Sequence, residues 1–137
     1  MQPIDLQQFA ERYTAAWCSQ RAELVAACYS PAGSLTINAG VPAVGRAAIQ
    51  ASAQEFMTAF PDLRVSMDRV SGQGGGAIYR WTLTGTHAGL TGKGRRVKIS
   101  GHEEWTFGSD GLIAASLGHF DRADYDRQLC AAVAGAL

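Results

Sequence analysis

Two carboxylates, Glu103 and Asp121, and the histidines and aromatics around them are where this chain could do chemistry. On a strand running from Val97, side chains alternate between faces. Val97, Ile99, Gly101, Glu103, Trp105 and Phe107 share one face, and Lys98, Ser100, His102, Glu104 and Thr106 share the other. Glu103 is then a carboxylate on an apolar face, beside Trp105. A carboxyl in such surroundings has a raised pKa and can hold or release a proton near neutral pH. The competing reading is a bulge at Gly101, which would turn Glu103 to water. His102 and Glu104 fall on the outer face, in solvent or in a subunit interface.

Asp121 ends the next apolar run. Ile113, Ala115, Leu117, His119 and Asp121 share one face, and Leu112, Ala114, Ser116, Gly118 and Phe120 share the other. Both sets are about equally apolar, so alternation leaves open which one faces the core. Asp121 also precedes Arg122-Ala-Asp124 and has the form of a helix N-cap. A capping carboxylate can still border a cavity. His119, near Asp121, is either a satisfied strand histidine or a general acid or base. His87 lies in a glycine-rich loop and is expected to be exposed. The histidines and carboxylates lack the local spacing of a zinc site, so no metal is expected. There is no Gly-X-Ser-X-Gly nucleophile elbow. Gly72–Gly76 is not followed by a helix with a lysine, so it reads as a hairpin loop rather than a phosphate loop.

Tyr13, Trp17, Phe56, Tyr79, Trp81 and Trp105 lie on faces that should meet between helices and sheet. Either they fill the core, or several of them around one carboxylate form a pocket for a planar or cyclic apolar ligand. Buried Trp and Tyr also need partners for their N–H and O–H groups.

The elements that must position these residues follow from periodicity. Leu6, Phe9, Ala10, Tyr13, Ala16 and Trp17 recur at the spacing of one helix face after Pro3 and Asp5. A short helix carries Leu24, Val25 and Cys28 and stops at Tyr29-Ser-Pro-Ala-Gly33. Ser34–Asn38 alternates as a strand, and Ala39–Gly45 is a loop. A helix from Arg46 presents Ile49, Ala53, Phe56, Met57 and Phe60 and ends at Pro61-Asp62. Strands follow from Leu63, with Leu63, Val65 and Met67 alternating and a flexible end at Ser71–Gly76, and then over Ala77–Thr86, Arg96–Phe107 and Leu112–Asp121. A polar loop spans Gly85–Gly94, and a Ser-Asp-Gly turn joins the last two strands. Arg122–Leu129 closes as a helix, and the alanine-rich tail is expected to fray. Helices segregated from a run of antiparallel strands indicate one α+β domain over residues 1–137.

The totals exclude several classes. The 137 residues, 47% of them apolar, suffice for one domain with a core. Twelve basic residues balance twelve acidic ones, which gives no basic excess for nucleic acid. No run of about 18 apolar residues spans a membrane, and the first residues lack the form of a signal peptide. Cys18, Cys28 and Cys130 read as reduced thiols of a cytoplasmic protein.

The order of elements resembles the nuclear-transport-factor-2-like superfamily, with a cystatin-like cone of curved antiparallel sheet closed by three to four helices. Trp81-Thr-Leu-Thr-Gly-Thr-His87, Ile99-Ser-Gly-His-Glu-Glu-Trp105, Asp110-Gly-Leu-Ile113 and Gly118-His-Phe-Asp121, with Tyr125 and Gln128-Leu129, look like its SnoaL-like branch. The likeness covers nearly the whole chain. It is specific for the fold and much less so for activity, because this fold hosts unrelated chemistries. In SnoaL-like polyketide cyclases the aspartate ending the last long strand is the acid/base of an aldol closure, and by motif position that is Asp121. Those cyclases support the acid with a histidine on the preceding strand. His102 is the candidate, but alternation puts it on the opposite face, which leaves Glu103, His119 or no group in that role. Other branches fit less well. The ketosteroid-isomerase-like pattern wants an aspartate where Asn38 stands, although Tyr13 resembles its helix tyrosine. The limonene-epoxide-hydrolase-like pattern is broken after Arg80. The scytalone-dehydratase-like Tyr-Asp pair is broken by Thr14.

The resemblance therefore implies a cofactor-free protein with a pocket for a small apolar or cyclic metabolite. Asp121, with Tyr13 or His119, would move a proton next to a carbonyl in a cyclisation or isomerisation. Trp17, Phe56, Tyr79, Trp81, Glu103 and Trp105 would line the pocket. The alternative is a non-catalytic binding or scaffold module of the same fold. A homodimer through Arg80, Thr82, Thr84, His102 and Glu104 is a further expectation.

Overall fold

Asp5 starts the first helix by accepting a hydrogen bond from the Gln8 amide at 3.0 Å. In this computed structural model the backbone of residues 5–87 and 95–135 and the side chains of residues 5–87 and 96–129 are described. Helix α1 (Leu6–Cys18) buries Phe9, Ala10, Tyr13 and Ala16. That spacing is one stripe of a 3.6-residue period. Helix α2 (Ala22–Ala26) is short, and α3 (Arg46–Ala59) buries Ile49, Ala53 and Met57. Between them run β1 (Tyr29–Ile37) and the two-residue β2 (Ala43–Val44). Then come β3 (Arg64–Gln73), β4 (Gly76–His87), β5 (Arg95–Phe107), β6 (Ile113–Phe120) and α4 (Arg122–Gly135). Among the described residues no helix is long and apolar enough to cross a membrane.

The six strands form one open, curved sheet in the order β2-β1-β6-β5-β4-β3. Its pairings are antiparallel except β1 with β6, which run parallel. The alternation read from the sequence is visible in β5. Val97, Ile99, Glu103 and Trp105 are buried, while Lys98, Ser100, Glu104 and Thr106 are exposed.

Several local expectations change. Tyr29–Gly33 does not lie outside the sheet; it begins β1, and the register of β1 on β6 shifts between Tyr29 and Ser34. The loop expected over Ala39–Gly45 contains β2. His87 is not an exposed loop residue. It ends β4, half-buried, with its ring edge-on to Phe60 at 5.2 Å. The backbone of α4 continues as helix to Gly135 instead of fraying after Leu129. The polar loop at Thr91–Gly94 and the side chain of Cys130 lie outside the described residues. Cys18 and Cys28 are free thiols, and burial pushes the Cys28 thiol up to about 11.

The buried residues form two clusters. One holds Tyr13, Tyr29, Ile49, Tyr79, Trp105 and Ile113. The other holds Phe60, Leu63, Val65, Leu83, Val97 and Ile99. Trp17 and Trp81 pack against both and mark the seam between them.

Gly101 has a role other than a bulge. The β4–β5 ladder passes through Trp81↔Gly101 without a shift. A Cβ at Gly101 would stand 2.2 Å from the His119 carbonyl oxygen and 2.6 Å from the Trp81 ring. The missing side chain lets Trp81 lie across β5. Gly101→Ala is expected to cost about 1–3 kcal/mol through this overpacking. Urea unfolding followed by tryptophan fluorescence measures it, and an unchanged midpoint would refute the close-packing role.

Candidate functional site

Glu103 is buried, and three side chains from three elements donate to it. The Tyr13 hydroxyl, from α1, is 2.9 Å from Oε1 and 3.1 Å from Oε2. The Trp105 indole N–H, two positions along β5, donates to Oε1 at 2.9 Å. The Ser116 hydroxyl, on β6, donates to Oε1 at 2.7 Å. The Tyr29 hydroxyl on β1 lies 2.9 Å from that of Tyr13 and extends the chain of hydrogen bonds. Oε1 thus accepts three donors, while Oε2 receives only the shared Tyr13 contact. Oε2 is the oxygen with capacity left to carry a proton or meet another group.

Burial raises the Glu103 pKa, and the bonds from Ser116, Trp105 and Tyr13 partly oppose that rise. Tyr13 and Tyr29 are pushed well above the ordinary tyrosine value, first by burial and then by the Glu103 charge. Both therefore stay neutral and able to donate. Burial also raises the Tyr79 hydroxyl.

Glu103 opens onto an apolar cavity of about 60 Å³ at the seam of the two clusters. At roughly 10–15 Å³ of such space per water, that is room for about four to six waters or one small ring. Trp17 from α1 and Phe56 from α3 form the helical side. Tyr79, Trp81, Leu83 and Ile99 form the sheet side, and Gly118 and Phe120 the β6 side. Gly118 is paired with Glu103 across the ladder and leaves space where another residue would place a side chain. Trp81 keeps a buried indole N–H without a hydrogen-bond partner among the described residues.

The residues expected from sequence are distributed unevenly. Trp17, Phe56, Tyr79, Trp81 and Glu103 border the cavity. Trp105 is not in the lining; it stacks on Tyr79 at 4.8 Å and holds Glu103 from behind. Tyr13 reaches the cavity only through Glu103. Asp121 is exposed and caps α4, accepting from the Asp124 amide at 3.0 Å. It does not contribute to the cavity lining. His119 borders the cavity, but its imidazole bonds the exposed Glu104 at 2.7 Å and stacks on His102 at 4.7 Å. His102 is held below the ordinary histidine value by burial, then by His119 and Arg80.

The reason for this division is a register shift between β5 and β6 at Thr106/Phe107. It buries both Ile113 and Ser116, so no single alternating set describes the strand. From Ser116 onward, Ser116, Gly118 and Phe120 face the cavity side, and Leu117 and His119 face outward. In the hydrogen-bond network around Glu103, Tyr29 and Ser116 are the members that the sequence reading missed. Alternation from Phe120 back along β6 marks Ser116, whereas nothing in the Tyr29-Ser-Pro stretch marks Tyr29.

Comparison with known proteins supplies a family. The profile of the SnoaL-like domain matches residues 10–116. No curated protein matches the sequence. Among solved structures, TsrD from Streptomyces laurentii superposes with a TM-score of 0.78 at 23% identity, over 94% of this chain and 97% of that one. A candidate SnoaL-like polyketide cyclase from Jannaschia sp. CCS1 gives 0.76 at 18% identity, over 90% and 91%. A hypothetical protein with a ketosteroid isomerase-like fold from Catenulispora acidiphila DSM 44928, in complex with trimethylamine, gives 0.72 at 12% identity, over 81% and 83%. At these identities the superpositions show the shared fold.

Glu103 ties stability to pH. Its native pKa lies above the ordinary 4.5, so between the two values the folded state holds the extra proton. The stabilising contribution is full below pH 4.5 and is lost as pH rises through the native value, at ~1.4 kcal/mol per unit of displacement. Glu103→Gln imitates the neutral carboxyl. Its stability relative to wild type is expected to rise across that interval, and a difference independent of pH would contradict the raised pKa. At the cap, Asp121→Asn is expected to be nearly neutral and Asp121→Ala to cost about 1 kcal/mol, both read from thermal unfolding.

Proposed function

The chain belongs to the SnoaL-like domain family, and from that membership and the placement of Glu103 we propose that it is a small-molecule pocket protein with Glu103 as its acid/base. The observation that carries the reading is a buried carboxyl, with one oxygen under-used, on the wall of an apolar cavity. As a carboxylate, Glu103 takes a proton from the carbon next to a ligand carbonyl, and an enolate forms. As the neutral acid it returns that proton to a different carbon in an isomerisation, or to the new alkoxide in an aldol cyclisation. Burial raises the Glu103 pKa above that of an exposed glutamate, which favours the neutral acid that the return step needs. Tyr13 and Ser116 hold the carboxyl in place and do not touch the ligand. The partnerless indole N–H of Trp81 costs about 1–3 kcal/mol, which a ligand oxygen acceptor can offset. Trp17, Phe56 and Phe120 are half-buried. Their displacement would admit more than one ring.

The family's aldol chemistry enters this reading by kinship, with the acid on β5 instead of at Asp121. A cofactor is not part of the proposed cycle. The second reading is a binding module in which Glu103 only hydrogen-bonds the ligand. The buried network of Tyr13, Trp105 and Ser116 favours it as much as catalysis. The pairing of two copies through the outer sheet face is a separate proposal, supported by Leu117, 46% exposed there. A monomer in sedimentation at micromolar concentration would remove it.

Hydrogen–deuterium exchange at the α-carbons of cyclohexanone, followed by NMR in D2O, separates the two functional readings. Catalysis by wild type, lost by at least tenfold in Glu103→Gln with cyclohexanone binding retained, is the expected result. Binding without exchange in either protein would leave the module reading.

A further inference from the structure

The outer face of the sheet carries a second constellation that the cavity does not use. His102 and Glu104 stand two apart on β5 and so project from the same face. His119 is the direct cross-strand partner of His102 on β6. One potential ligand atom from each of the three lies within 4.8 Å of the others, and no other such group occurs among the described residues. We propose that His102, Glu104 and His119 form a site for a divalent transition-metal ion of the zinc class.

The chemistry fits that class. Two imidazoles and one carboxylate are borderline ligands that suit zinc and its first-row neighbours, rather than the all-oxygen sets of calcium or magnesium. Zinc bonds of about 2.0–2.2 Å place ligand atoms roughly 3.3 Å apart in a tetrahedron. The His119–Glu104 pair, at 2.7 Å, must open slightly, and the wider spacing must close. Both changes are side-chain rotations on a surface where His119 and Glu104 are 42% and 48% exposed. The two strands supply the rigid frame. Their backbone ladder already sets His102 opposite His119, and the stacked rings, 26° from parallel, lie at 4.7 Å. Three protein ligands leave a fourth position for water or another donor.

One charge opposes binding. Arg80 is the cross-strand neighbour of His102 on β4. Neutral imidazoles and one carboxylate leave the complex with a net positive charge beside it, so affinity in the micromolar range is expected rather than that of a closed structural site. The bound ion would tie β5 to β6 on the face opposite Glu103. This inference does not depend on the function proposed for the cavity.

Titration of Zn2+ into the EDTA-stripped full-length protein, read by calorimetry, tests the site. One ion per chain is expected, with the affinity falling at least about tenfold in each of His102→Ala, His119→Ala and Glu104→Gln. In wild type, the ring nitrogens of His102 and His119 should shift together in nitrogen-15 NMR at one equivalent. With Co2+, visible d–d bands should arise without a thiolate charge-transfer band, which distinguishes the site from the cysteines. No saturable binding overturns the proposal. So does binding that survives in the His102→Ala/His119→Ala protein, or a shift confined to His87.

Discussion

A carboxyl group inside an apolar core is tolerated only when donors surround it or when it gives up its charge. Glu103 does both. Its donors come from α1, β5 and β6, and β1 joins through the Tyr29 hydroxyl. One polar group therefore fixes how the first helix lies on three strands. Tyr13 could not shift along the sheet without leaving the carboxyl, and its ring is wedged edge-on against Trp105 and Tyr79. The aromatic packing and the polar network specify the same arrangement, which is the consistency expected of a uniquely folded core.

The cavity beside Glu103 follows from what is missing as much as from what is present. Gly118 stands across the ladder from Glu103, and Gly101 makes way for Trp81. Large rings bridge the two hydrophobic clusters but do not merge them. Close-packed interiors seldom leave such space by chance. The result is an apolar recess with the Glu103 carboxyl in its wall.

The sequence displayed this site unequally. Glu103 was legible because β5 runs through Gly101 in regular alternation and every inward position beside it is apolar or glycine. The aromatics of α1 and β4 were legible for the same reason. Strand β6 was not, because its two alternating sets are equally apolar and a register shift at its start buries Ile113 from one set and Ser116 from the other. Asp121 satisfied two descriptions at once, and its local hydrogen bond to the start of α4 is the one that the structure displays. Likeness to the cyclases placed weight on that aspartate, while periodicity offered Glu103 as a second carboxyl, on an apolar face and in a ligand-binding role. The cluster on the outer face escaped because ligand spacing was sought along the chain, and cross-strand pairing brings His119 beside His102. The parallel β1–β6 pairing was equally hidden, since hydrophobic pattern does not encode strand direction.

That parallel pairing bears on how the molecule assembles. Strand β6 lies between β1 and β5, so the sheet has a gap at its centre until Ile113–Phe120 has left the ribosome. Tyr13 and Glu103 are 90 positions apart, and neither is satisfied before both have formed their elements. Contacts of such sequence separation are slow to form. A nascent chain that ended before β6 would present the open edges of β1 and β5 and an uncovered glutamate. Such a species is the kind that chaperones hold and that strand-to-strand aggregation consumes.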